Sequence, residues 1–133
     1  MKLVYFTFAI FASTILAGCS YGSADKQKAD TQLISSLLQC GPPKNCVITA
    51  ASPSFSTLAL AGTTTSCTTC HSGANLNAGL DITSYSSVLA RVRAGDASCS
   101  LLYQKITGGS MAGNSTPAIN SAVLNWIQGC AAP

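Results

Sequence analysis

Seven cysteines in 133 residues, behind an apolar leader, constrain this chain more than any other feature. The leader begins Met1-Lys2 and runs without charge from Leu3 to Ala17. That run is too short and wrongly flanked for a membrane-spanning helix and reads as a signal peptide covering residues 1–18. An exported chain meets an oxidising compartment, so its cysteines are candidates for disulfides.

Leu16-Ala17-Gly18-Cys19 resembles the bacterial lipobox, in which the cysteine becomes the acylated first residue of the mature protein. Cys19 is therefore the expected lipidation site; ordinary cleavage at a small residue, with Cys19 incidental, is the alternative. The expected location is a bacterial membrane surface facing the periplasm or the cell exterior, held by lipid and not by a spanning helix. Ser20, by analogy with an enterobacterial sorting rule, leans toward the outer membrane.

Without the leader, six Lys or Arg face four Asp and no Glu, a balance near +2. So weak a charge excludes nucleic acid as an expected partner. Small residues dominate and aromatics are few, so a head of roughly 80 residues needs a staple or a bound group to complete its core.

Residues 19–53 are polar and small apart from Leu33, Ile34, Leu37 and Leu38 at helical spacing. They read as a lipidated tether with a short helix, and residues 54–133 as the folded head. Four cysteines remain once Cys19 and a Cys-x-x-Cys pair are set aside: Cys40, Cys46, Cys99 and Cys130. The expected pairing is Cys40 with Cys46, closing a small loop, and Cys99 with Cys130; free buried thiols are the alternative.

In the head, helices are expected from about Ser54 toward Cys67, over about Tyr85 to Arg93 behind Thr83 or Ser84, and over about Cys99 to Ile106 behind Asp96 or Ser98. The clearest follows Thr116 as N-cap and Pro117 at the first position. It carries Ile119, Ala122, Val123, Trp126 and Ile127 on one face, with Gly129 as the stop. Sustained period-2 alternation is missing, so the fold class is all-α with long loops.

Cys67-Thr68-Thr69-Cys70-His71 holds the single histidine of the chain. A thioredoxin-like dithiol would need a preceding strand and a β-rich domain, and a zinc site a second ligand pair; neither shows in the sequence. On one helical turn, Cys67, Cys70 and His71 can face one planar object, and Cys-x-x-Cys-His is the attachment motif of c-type haem. The sulfurs would form thioethers to the vinyl groups and His71 would be the proximal iron ligand. By elimination Met111, in Gly108-Gly109-Ser110-Met111-Ala112-Gly113, is the remaining strong ligand for the other axial position; a five-coordinate or water-ligated iron is the alternative.

Along the head, this motif is followed by Leu80-Asp81-Ile82-Thr83-Ser84-Tyr85, Ala94-Gly95-Asp96, Ser100-Leu101-Leu102-Tyr103-Gln104-Lys105-Ile106, Gly-Gly-Ser-Met at 108 to 111, and Asn125-Trp126-Ile127. In that order the chain resembles small class I type mono-haem bacterial cytochrome c domains over about its last 75 residues. The resemblance implies a small helical domain wrapped around one covalent haem, with first and last helices crossing nearby and Met111 as distal ligand. Where the family usually has Pro after the ligating Met, this chain has Ala112.

The expected function is electron transfer by a membrane-anchored carrier, not an enzyme, meeting redox partner proteins by transient contact. The alternatives are a gas-binding or gas-sensing haem protein with a loosely held Met111, a subunit docked to an oxidoreductase complex, and a haem-free disulfide-rich lipoprotein. Arg91, Arg93 and Lys105, with Tyr85 or Trp126, are candidates to reach haem propionates, against a solvated face for the charges and plain packing for the rings. Asp96 reads as a cap.

Overall fold

The structure, a computed structural model, describes residues 31, 33–35, 37–42 and 44–133. The expected signal peptide and lipidation at Cys19 lie outside the described residues. The described chain is helix-rich with little strand. Among the described residues, no helix is long and apolar enough to cross a membrane.

The head opens with helix α1, Ser56–Leu60, which buries Leu58. The stretch toward Cys67 is not one helix, because Gly62 adopts a left-handed φ of 103° and separates α1 from α2, Thr63–Ser66. Beyond the cysteines comes an unanticipated hairpin of β1, His71–Ser72, and β2, Asn75–Leu76, in the register His71 to Leu76 and Ser72 to Asn75. Two residues per strand are too few for alternation to show in a sequence.

Helix α3, Tyr85–Leu89, is capped by Ser84, whose side chain accepts from the Ser87 amide. It ends before Arg93 because that residue is taken by another partner: the Arg93 amide donates to the Ser100 hydroxyl at 2.8 Å and the Leu102 amide to the Arg91 carbonyl at 2.9 Å. Ser100 then precedes α4, Leu101–Thr107. Helix α5, Pro117–Gln128, follows its sequence signals closely, with Thr116 accepting from the Ile119 amide and Gly129 at its end. Its apolar face supplies Ile119, Val123, Trp126 and Ile127, all essentially solvent-free, to a core shared with Leu58, Ile82, Val88, Leu102 and Ile106.

Trp126 is the centre of that core. Phe55 and Tyr85 pack on it with ring centroids 5.7 and 6.4 Å away. Its indole N–H donates to the Ala132 carbonyl at 2.7 Å, and the Tyr85 hydroxyl to the Ala131 carbonyl at 3.0 Å. Capturing both carbonyls bends the chain end back over the aromatic rings, with Cys130 and Ala131 at φ of 72° and 51°. That conformation costs roughly 1–2 kcal/mol per non-glycine residue, which the two hydrogen bonds, that of Trp126 fully buried, offset.

The expected cystine pairing is wrong. Cys40 joins Cys99 and Cys46 joins Cys130, with Cα separations of 5.9 and 5.5 Å. Two consecutive prolines at sequence positions 42 and 43 favour an extended chain over a closed loop. The strip is laid along the head instead. Arg93 donates to the Gly41 carbonyl, Lys44 pairs with Asp96 at 3.4 Å, and the Cys46 sulfur lies 3.0 Å from where a Cβ on Gly95 would stand. Gly95, at φ 75°, thus meets both a left-handed backbone and a close approach. From Cys40 onward the expected tether belongs covalently to the head.

The same contacts set an acid limit. The Ser98 hydroxyl and then the Lys44 ammonium hold the Asp96 carboxyl below the usual carboxylate range, and Thr83 does the same for Asp81 through side-chain and backbone hydrogen bonds. A carboxyl whose folded pKa is depressed contributes stability above its unfolded pKa of about 4, which is lost as pH falls through the folded value. Urea midpoints are therefore expected to fall on acidification below about pH 4, and less steeply in Asp96→Asn. An unchanged slope in that variant would remove Asp96 from the account.

Candidate functional site

The Cys67 to His71 segment leaves α2 as one further turn. The amides of Cys70 and His71 both donate to the Cys67 carbonyl, at 3.2 and 2.9 Å. This places the three motif residues on a single turn, as their spacing requires. The Ser72 hydroxyl braces the turn through the Thr68 carbonyl at 2.7 Å. On the far side, the Ile82 amide donates to the His71 carbonyl at 2.8 Å, tying the histidine backbone to a core residue.

The imidazole is fixed by a backbone group. His71 Nδ1 lies 3.0 Å from the Asn77 carbonyl oxygen. A carbonyl can only accept, so Nδ1 carries a proton, and in the neutral imidazole that tautomer leaves the Nε2 lone pair for a ligand. The hairpin and the 3-10 turn Asn77–Gly79 bring that carbonyl round, and the Asn77 amide closes back on the Cys70 carbonyl at 3.1 Å. Nothing in the sequence could flag Asn77, since the group it contributes belongs to every residue.

The two cysteines differ. Cys67 is a free, half-buried thiol packed against the core, and burial pushes its pKa up, so it is protonated at neutral pH. A raised pKa is the reverse of what a redox-active dithiol needs. Cys70 is disulfide-bonded. Its sulfur becomes available for another bond only after reduction.

Met111 sits in the loop after α4, its amide donating to the Lys105 carbonyl at 3.1 Å. Its side chain, like that of Cys67, is partly buried against the shared apolar core. The two elements expected to flank a cofactor thus rest on one hydrophobic cluster.

Candidates for contacting propionates turn out otherwise. Tyr85 and Trp126 are held by the chain end, as described. Arg91 donates to the Ala78 carbonyl at 2.8 Å, Arg93 to Gly41, and the Lys105 ammonium approaches the Ser110 hydroxyl at 3.4 Å. Asp96 precedes the 3-10 turn Ala97–Cys99 without capping it through its side chain; it pairs with Lys44 and accepts from Ser98 at 2.6 Å.

The expectation of metal binding needs a correction. Among the described residues, no group of three or more His, Cys, Asp and Glu side chains gathers where a metal ion could be held. His71 is the sole imidazole, Asp81 and Asp96 are occupied by Thr83, Ser98 and Lys44, and Cys70 is disulfide-bonded, as are Cys40 to Cys99 and Cys46 to Cys130. His71 and Met111 are not part of a metal centre built by the protein alone.

Comparison with family models, with curated proteins and with solved structures returns no match to this chain.

Proposed function

We propose that the chain is an exported, lipid-anchored electron carrier that holds one covalent c-type haem at the Cys67 to His71 turn. The observation that carries this reading is the orientation of His71. Its Nδ1 faces the Asn77 carbonyl, so in the neutral imidazole Nε2 is the nitrogen left to act as a directed donor, on the same turn as both cysteines. A bound haem would bring its own four nitrogen ligands to the iron, so the chain is asked for axial donors and thioethers only, and not for a metal cluster.

Attachment at this turn would add each thiol across one vinyl group, sulfur to one carbon and hydrogen to the other, with no net oxidation. Cys67 is a thiol already. Cys70 must first be reduced, by a dithiol reductant in the exported compartment. Met111, resting on the core shared with Cys67, is the residue of this chain suited to the second axial position. The resident haem would supply reversible one-electron storage, and redox partners would dock by transient contact.

The disulfide at Cys70 and the engagement of Tyr85 and Trp126 by the chain end favour a second reading, a haem-free surface lipoprotein stapled by cystines. One experiment separates the two. The full chain is exported together with a haem-attachment machinery, and its absorption is recorded oxidised and then reduced. The carrier reading expects a sharp reduced α band, a haem mass that survives denaturation, and loss of normal ligation in His71→Ala. A weak far-red band in the oxidised form places a methionine on ferric iron and should vanish in Met111→Ala. A colourless protein overturns the carrier reading in favour of the stapled lipoprotein.

A further inference from the structure

The distribution of apolar side chains along this molecule is lopsided. Among the described residues, the exposed large apolar side chains are Ile34, Leu38, Val47, Ile48, Leu60 and Leu76. All fall between Asp30 and Asp81, an interval whose one formal charge is Lys44. From Asp81 onward lie Arg91, Arg93, Asp96 and Lys105, and the large apolar side chains there are buried or half-buried.

The strip around the two cystines shows this most sharply. It is fastened to the head by a backbone carbonyl at Gly41, an ammonium at Lys44 and sulfurs at Cys40 and Cys46. Its large side chains take no part in that attachment: Leu38 is 82% exposed and Val47 77%. Just before it, Ile34 and Leu38 stand one helical turn apart, the Leu38 amide donating to the Ile34 carbonyl at 3.1 Å, and both are exposed while Leu33 is buried. A segment that fastens itself through polar groups and sulfur while presenting its branched side chains outward is inside out for a surface that meets only water.

We infer that Ile34, Leu38, Val47 and Ile48 form a membrane-contacting face that lays the head on the lipid bilayer. The inference rests on the proposed lipid anchor, which identifies the occupant. Cys19 lies only 15 residues before Ile34, so even a fully extended connection spans at most about 50 Å, which keeps these side chains within reach of the lipid that holds the chain. The cystines give the face rigidity, because Cys40 and Cys46 lock the strip to the α4 and α5 ends of the head. Anchoring thereby becomes orientation, with the Arg93 to Cys99 bed of the strip on the membrane-facing side of the head.

The test uses the full chain reconstituted in phosphatidylcholine and phosphatidylglycerol vesicles that contain a lipid with a photoactivatable diazirine in its acyl chain. Crosslinked peptides are mapped by mass spectrometry, and the intact mass reports acylation of the same sample. The expected result is labelling concentrated in residues 34–48 and reduced at least several-fold by the paired change Val47→Asp and Ile48→Asp. These positions are exposed, and unchanged urea midpoints would show that the variant still folds. Labelling spread over α4 and α5, or the same labelling in the aspartate variant, overturns the face. An intact mass without acyl chains would sink the anchor reading separately. Unacylated protein that still labels at 34–48 when mixed with the vesicles supports the face, and unacylated protein that does not label overturns it. Protection of the strip by a second copy of the chain, without lipid labelling, also overturns it.

Discussion

Trp126→Ala is expected to remove about 3–5 kcal/mol of unfolding free energy, the largest loss from any single core truncation in this protein. The indole is completely buried at the meeting point of α1, α3, α5 and the chain end. Its removal leaves a cavity beneath Phe55 and Tyr85 and deprives the Ala132 carbonyl of its donor. Domains of this size have only about 5–15 kcal/mol in total, so the variant should be largely unfolded at moderate urea. Trp126→Phe separates the two contributions. It keeps most of the packing and leaves the buried carbonyl unsatisfied, at about 1–3 kcal/mol. Urea titration followed by circular dichroism measures both. A loss below about 1 kcal/mol in Trp126→Ala would mean that the core is organised around something else.

Replacing Cys46 and Cys130 together by Ser is expected to cost about 4 kcal/mol on the loop-entropy account, because this cystine, with a sequence separation of 84, still closes a long loop when the path is shortened through Cys40 to Cys99. The effect extends beyond chain entropy. Cys130 and Ala131 hold left-handed backbone conformations, and the strip at Cys46 fits against Gly95. With the cross-link gone, the chain end that satisfies Trp126 and Tyr85 should fray, visible as faster amide exchange at Ala131 and Ala132. The pairing itself is easily checked. Lys44 lies between Cys40 and Cys46, and Arg93 and Lys105 isolate Cys99 from Cys130, so a non-reducing tryptic digest yields distinct linked peptides for each arrangement. A peptide joining Cys40 to Cys46 across the cut at Lys44 would overturn the structure's connectivity.

The pairing shows why counting cysteines could not decide which joins which. Four cysteines allow three arrangements. The choice depends on Gly95, Asp96 and Arg93, far from Cys40 and Cys46 in sequence, which create the bed on which the strip lies. The small hairpin after Cys70 was equally illegible, because two-residue strands carry no period. It nonetheless delivers the Asn77 carbonyl to His71. Tyr85 and Trp126 were recognisable as aromatic anchors but not as partners of the chain end. A backbone carbonyl has no sequence signature, and these two arrive only when Cys130 and Ala131 turn left-handed.

The sequence by itself determined what depends on neighbours a few residues away. The bounds and buried face of α5 follow from Thr116, Pro117, the Ile119 to Ile127 stripe and Gly129, and the single turn of Cys67, Cys70 and His71 follows from their spacing. It also determined the helical class, since helical period and capping are short-range properties of the chain. Only the tertiary structure decided the cystine partners, the end of α3 at the Arg93 to Ser100 contact, the orientation of His71 and the exposure of Ile34, Leu38, Val47 and Ile48. Each of these is a meeting between segments remote in sequence. Their outcome is set by which surfaces the closed fold brings together, and local propensity carries no record of it.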